Sequence, residues 1–274
     1  MEKFKKIAIL SLLIICSIGL LLSLGFVNKE QDVLRCKSLE IHVDQDRDLY
    51  FLDRMDIEKL IKSRGDSVIG QPKSTLDIPA LEKALNSHAD IANAEASVSI
   101  DGNVKVNVKQ RRPILRIINE NGDSYYMDDV GKLMPLSDKY TAKVLVANGK
   151  ITESYGKHYK RSMEDIAKDS AMRAKSMFDE LFAMATYIEQ DVFWKSQVQQ
   201  LFVNDDKEIE LVPMVGNQKI IFGDTACMDE KFKKLMIFYS QGLNTTGWWN
   251  KYATINLKFR NQINHTTIHY DYPI

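Results

Sequence analysis

Of the five histidines, His42, His88, His158, His265 and His269, only the last two stand at the i,i+4 spacing that lets two imidazoles share a metal on one helix face. The glutamate of a zinc-protease helix is missing beside them, and they fall in a strand-like or frayed tail, so no metal site is expected. Asp44, Asp46 and Asp48 imitate the opening of a calcium loop, but Leu49 stands where the sixth position needs glycine and Met55 where the twelfth needs glutamate; a solvated turn is expected instead. Asp128 and Asp129 are adjacent carboxylates, and neighbours in a strand or turn point apart, so this pair also reads as a solvated loop. Neither a nucleophile elbow, GxSxG, nor a phosphate loop, GxxxxGK[ST], nor a GxGxxG turn occurs. Cys16, Cys36 and Cys227 never approach CxxC spacing, which removes the common zinc and dithiol motifs. No catalytic, cofactor or metal residue is therefore assigned.

Lys plus Arg balances Asp plus Glu at 37 each, so the electrostatic footprint of a nucleic-acid binder is missing. The 274 residues, 45% hydrophobic and 27% charged, have the composition of a folded chain long enough for two small domains.

From Ile7 to Val27 every residue is uncharged. At a rise of 1.5 Å per residue, those roughly 21 positions cover the hydrocarbon core of about 30 Å. The run is longer than the apolar core of a cleaved signal peptide, and bulky Ile15 before Cys16 argues against lipoprotein processing. Lys3, Lys5 and Lys6 crowd the short leading end, which orients residues 1–6 to the cytoplasm and everything after about residue 30 outside it.

The exposed chain then alternates strand and helix signals. Leu39, Ile41 and Val43 alternate with polar residues as in a half-buried strand. Asp53 is a candidate N-cap for a helix carrying Met55, Ile57, Leu60 and Ile61, stopped by Gly65. Asp77 and Pro79 open a second helix with Leu81, Ala84 and Leu85 on its buried stripe. Ala94, Ala96, Val98 and Ile100, then Asp101-Gly102, then Val104, Val106 and Val108 spell a β-hairpin. The order β-α-α-β-β calls for a small sheet covered on one face by two helices. After Pro113 strand runs follow at 114–118, 124–127 and 143–147, a long helical pattern from Met163 to Gln190, strands at 198–203, 208–212 and 219–222, and a helix from about Asp229 to Ser240 before Gly242. A final strand is expected from Tyr252 to Gln262. The fold class is α+β: a transmembrane helix at 7–27, one domain at 36–112, a mixed β domain with a long helix and a C-terminal strand at 113–263, and a tail at 264–274.

Several segments carry a resemblance. They are Ile91-Ala-Asn-Ala-Glu95, Val106-Asn-Val-Lys-Gln-Arg-Arg-Pro113, Tyr125-Tyr-Met-Asp-Asp-Val-Gly-Lys-Leu-Met-Pro-Leu-Ser137, Phe193-Trp194, Leu211-Val-Pro213, Gly216 and Tyr252-Ala-Thr-Ile-Asn-Leu-Lys-Phe-Arg-Asn-Gln262. With the element order, they make the chain resemble the FtsQ/DivIB family of cell-division proteins, in its Bacteroidetes form, over nearly the whole length. Gln110 stands where the family's junction motif more usually has Glu, and the chain from Asn264 departs from the pattern. The resemblance implies a POTRA domain, then a β domain, and a non-enzymatic divisome scaffold that binds FtsB and FtsL at the septum. It also implies a partner surface on the last strand, here Ile255, Leu257, Lys258, Phe259, Arg260, Asn261 and Gln262, with Phe259 and Asn261 leading. Such a strand is expected to be an open edge whose main chain accepts a partner segment. A membrane-anchored cell-wall enzyme and a POTRA-bearing envelope assembly or secretion component are the competing readings.

Overall fold

The computed structural model describes residues 14–19, 34–44, 49–63, 68–158 and 176–268. Residues 14–19 are helical, and the rest of the predicted 7–27 span lies outside the described residues. Among the described residues no helix is long and apolar enough to cross a membrane. The chain divides into two units, 1–110 and 111–274.

In the first unit, β1 (Ser38–Asp44), α1 (Arg54–Lys62), α2 (Ile78–Asn86), β2 (Ile91–Val98) and β3 (Asn103–Gln110) follow in the expected order. The sheet runs β1-β3-β2, with β1 parallel and β2 antiparallel to β3. Local chemistry explains the helix starts. The Asp53 carboxylate accepts the Asp56 N–H at 2.9 Å while Asp56 Oδ2 accepts the Asp53 N–H at 2.9 Å, a reciprocal cap that satisfies two donors which no helical carbonyl can reach. Asp77 Oδ1 likewise accepts from Ala80 N–H, and Pro79 costs α2 no hydrogen bond in its first turn. Ile57, Ile61, Leu81 and Leu85 on the helices and Val104, Val106 and Val108 on β3 are all buried. Ile100 departs from the expected hairpin face: it sits in the turn, 78% exposed, because the strands end at Val98 and resume at Asn103.

Helix α2 also reaches the outer margin of β2. Asn86 Oδ1 accepts the Ala94 N–H at 2.8 Å, Asn86 Nδ2 donates to the Ala94 carbonyl at 3.0 Å, and Glu82 Oε1 accepts the Ala96 N–H at 2.7 Å. Three main-chain groups that face away from β3 are thus satisfied by side chains of the unit's own helix.

The second unit is built on a nine-stranded mixed sheet, in the order β12-β11-β10-β9-β8-β7-β4-β5-β6. Its strands are β4 (Pro113–Ile118), β5 (Ser124–Asp128), β6 (Leu133–Met134), β7 (Leu145–Gly149), β8 (Val198–Val203), β9 (Ile209–Pro213), β10 (Lys219–Gly223), β11 (Tyr252–Asn256) and β12 (Asn264–Thr267). One face carries Leu115, Ile117, Ala147, Leu201, Leu211, Ile220, Phe222 and Ile255 into a core completed by α3 (Phe178–Gln190) and α5 (Met228–Ile237). The helix expected to run unbroken from Met163 to Gln190 is cut back: Ser176 and Met177 are not helical and α3 begins at Phe178, while residues 163–175 lie outside the described residues. Asp191 ends α3 and caps α4 (Val192–Gln197), its carboxylate accepting the N–H groups of Phe193 and Trp194 at 2.8 and 3.0 Å. Neither α4 nor the two-residue β6 was anticipated.

Two expectations are corrected here. The helix expected to stop before Gly242 instead continues from α5 as a π-helical stretch, Phe238–Leu243, and a last turn, Asn244–Thr246, ending at Gly247 with φ 69°. Tyr239 and Leu243 are both buried, so the apolar stripe carries the helix past Gly242, and the left-handed stop passes to the next glycine. Asp128 is 1% exposed and not in a solvated loop. Its Oδ2 accepts from Arg111 at 2.8 Å, its Oδ1 from the N–H groups of Lys132 and Val130 at 2.6 and 3.1 Å, and burial pushes its pKa up against these partners. Of the aspartates proposed as a calcium mimic, only Asp44 lies within the described residues.

The junction motif now divides by role. Gln110 belongs to the first unit, where it is buried: its Oε1 accepts the Leu52 N–H at 2.9 Å and its Nε2 donates to the carbonyls of Asp44 and Leu49 at 2.9 and 3.0 Å. A neutral amide can both donate and accept at this site, which a carboxylate cannot. Arg111 and Arg112 belong to the second unit, Arg111 paired with Asp128 and Arg112 donating to Glu189 on α3.

Candidate partner-docking edge

Strand β11 owes its place to Ile255, which at 0% exposure pairs with Ile220 of parallel β10 over the core. The predicted strand through Gln262 is overturned, because β11 ends at Asn256. Leu257 N–H still donates to Ile221 O at 2.9 Å, and Leu257 is fully buried. Lys258 N–H then bonds Asn256 Oδ1 at 3.0 Å, and the chain turns, with Asn261 in the left-handed region at φ 63°. Residues 264–267, expected to be tail, return antiparallel as β12, pairing Asn264 with Asn256, His265 with Ile255, Thr266 with Thr254 and Thr267 with Tyr252. The expected open edge at β11 is therefore filled on both sides, by β10 and β12, and the sheet's border moves one strand outward.

The seven predicted residues separate accordingly. Ile255 and Leu257 have no exposed side chain to offer a partner. Lys258, Phe259, Arg260, Asn261 and Gln262 are exposed and gather on the connection leading into β12, with Phe259 43% exposed.

That connection is pinned from below and from the side. Lys234 of α5 donates from Nζ to the carbonyls of Leu257 and Phe259 at 2.8 and 2.6 Å, and burial there, with Lys231 nearby, lowers its pKa. Lys258 Nζ bonds both carboxylate oxygens of Glu208 at 2.8 and 3.0 Å, and that hydrogen bond raises the lysine's pKa. Lys234→Met removes both hydrogen bonds, and the amides from Lys258 to Ile263 are then expected to exchange with deuterium about tenfold faster while those of α3 are unchanged, read by exchange mass spectrometry.

The outer strand has a definite polarity. Ile268 N–H donates to Lys251 O at 2.8 Å, so the alternation of an antiparallel strand turns the main chain of Asn264, Thr266 and Ile268 toward β11 and that of His265 and Thr267 away from it. Among the described residues no strand pairs with that outer side. Thr254 and Thr266 join hydroxyls at 2.6 Å on one face; on the other, the His265 ring meets Tyr252 edge-on at 4.8 Å. Sequence reasoning missed β12, Lys234 and Glu208. The turn-forming Asn261 and the β-branched Thr266-Thr267 were the available signals for the strand.

Residues 112–266 match the family described as FtsQ/DivIB, C-terminal related, and residues 34–109 match the POTRA-like domain. The chain belongs to the FtsQ/DivIB family. A search of curated proteins gives no match. The C-terminal match reaches into β12, so most of the outer strand lies within the FtsQ/DivIB-related domain. This family is one of non-enzymatic divisome scaffolds, and its two domains mark the chain as a cell-division protein.

Proposed function

We propose that this FtsQ/DivIB protein is a divisome scaffold that captures an extended segment of an FtsB- or FtsL-type partner along the outer side of β12. In this reading residues 7–27 anchor it once in the inner membrane, residues 1–6 are cytoplasmic, and the POTRA-like and β units stand in the periplasm at the septum, where they help position wall synthesis. The observation that carries the reading is an outermost strand, in a domain of a scaffold family, whose main chain at His265 and Thr267 faces away from the sheet. Backbone pairing supplies attachment, and Phe259, Arg260, Asn261 and Gln262, exposed on the adjoining turn, supply selectivity.

Proline tests this directly, since it removes a donor only where the main chain faces outward. Thr267→Pro is expected to weaken capture of an FtsB-type periplasmic segment about tenfold, the equivalent of roughly one hydrogen bond, with the ladder to β11 retained. Unchanged affinity in a folded Thr267→Pro protein would remove β12 as the docking strand.

A further inference from the structure

At the end of the POTRA-like unit where the chain enters, three segments converge. Arg35 donates from Nη1 to Gly70 O at 2.8 Å, Lys73 N–H donates to Leu34 O at 2.8 Å, Lys37 N–H donates to Gly102 O at 3.0 Å, and Lys73 Nζ reaches Ser99 O at 3.4 Å. The entry strand, the 69–73 loop and the 99–102 hairpin turn thus form one surface. Two large apolar side chains stand on it, Ile100 at 78% exposure and Ile69 at 55%. Around them lie the cations Arg35, Lys37 and Lys73, with Asp101 as the acidic side chain of the turn. Ile100 at the tip of a tight turn contributes nothing to the core, and two exposed isoleucines together with three cations make an apolar, basic surface whose complement is an apolar, negatively charged neighbour.

We infer that this surface rests on the membrane, with Ile100 and Ile69 entering the interfacial layer and Arg35, Lys37 and Lys73 facing anionic lipid headgroups. The inference rests on the anchored topology proposed above. From Val27, the end of the apolar run, to Leu34 there are seven residue steps, which span at most about 25 Å. The surface therefore stays near the bilayer that holds the anchor, and each cation near an anionic leaflet adds attraction that falls off within a Debye length.

The test uses the full chain in nanodiscs containing brominated lipid, with either neutral lipid alone or added phosphatidylglycerol. Ile100→Trp and Ile69→Trp each place a fluorophore on the surface, and Met55→Trp is the control. Met55 is 63% exposed at the start of α1, close to Leu52, whose N–H bonds Gln110 at the far end of the β1–β3 ladder. Emission added by Ile100→Trp and Ile69→Trp over the parent is expected to be quenched in anionic discs, and that added by Met55→Trp is not. Lys37→Glu with Lys73→Glu is expected to reduce that quenching about twofold or more. Chain that co-elutes with anionic discs but leaves the added emission at positions 69 and 100 unquenched overturns the inference and spares the anchor. Chain that fails to co-elute with discs overturns both.

Discussion

Arg111→Met is expected to cost the β unit about 3–5 kcal/mol at neutral pH, the range for removing one partner of a buried ion pair. Arg111 is paired with Asp128 at 2.8 Å with side-chain exposures of 10% and 2%, so the substitution strands a carboxylate in the interior. Urea denaturation followed by tryptophan fluorescence measures the loss in the right unit, because Trp194, Trp248 and Trp249 all lie after residue 110. The pH dependence gives the effect its signature. Burial already holds the Asp128 pKa above its ordinary value while Arg111 opposes that rise, so losing Arg111 raises it further. A carboxyl whose folded pKa exceeds its unfolded value binds a proton more tightly when folded, so the variant gains stability as pH falls through the folded pKa and the gain is complete below the unfolded one. The gap to the parent is therefore expected to narrow on acidification. A gap independent of pH would mean that Arg111 acts through packing alone.

Phe232→Ala is expected to cost about 3–5 kcal/mol by the same measurement, through lost burial and the cavity left behind. Phe232 stacks on Tyr187 at 4.5 Å and 9°, and its ring centre lies 4.8 Å from that of Trp194 and 5.0 Å from that of Phe222. One side chain on α5 thus bonds that helix to α3, α4 and β10. The same helix carries Lys234, two positions on, which holds the Leu257 and Phe259 carbonyls. Partner capture is expected to weaken along with stability, whereas Lys234→Met loosens the turn and leaves the aromatic packing in place.

The POTRA-like order was legible because its signals are local. Asp53 and Asp77 cap their helices, and the hairpin valines alternate over a buried face. The border of the large sheet was not legible, for a physical reason: Asn264, His265, Thr266 and Thr267 are all exposed, so nothing in their environment demands the apolar alternation by which a strand is recognised. Conversely Leu257 carries that signal without lying in a strand, since it is buried past the end of β11. The junction motif showed its residue types but not their division of labour, because the partners Asp128 and Glu189 lie 17 and 77 positions away. The exposed residues from Lys258 to Gln262 were found by resemblance alone; the lysine that pins their turn sits on another element.

The attention that α2 gives to the margin of β2 bears on crowding. By presenting an amide that gives and takes the same bonds as a peptide, Asn86 serves as a one-residue dummy neighbour, and Glu82 repeats the accepting half of the trick two positions along. Two copies meeting edge to edge on that flank therefore find three of its main-chain groups already occupied, which removes part of the template for zipping into fibrils.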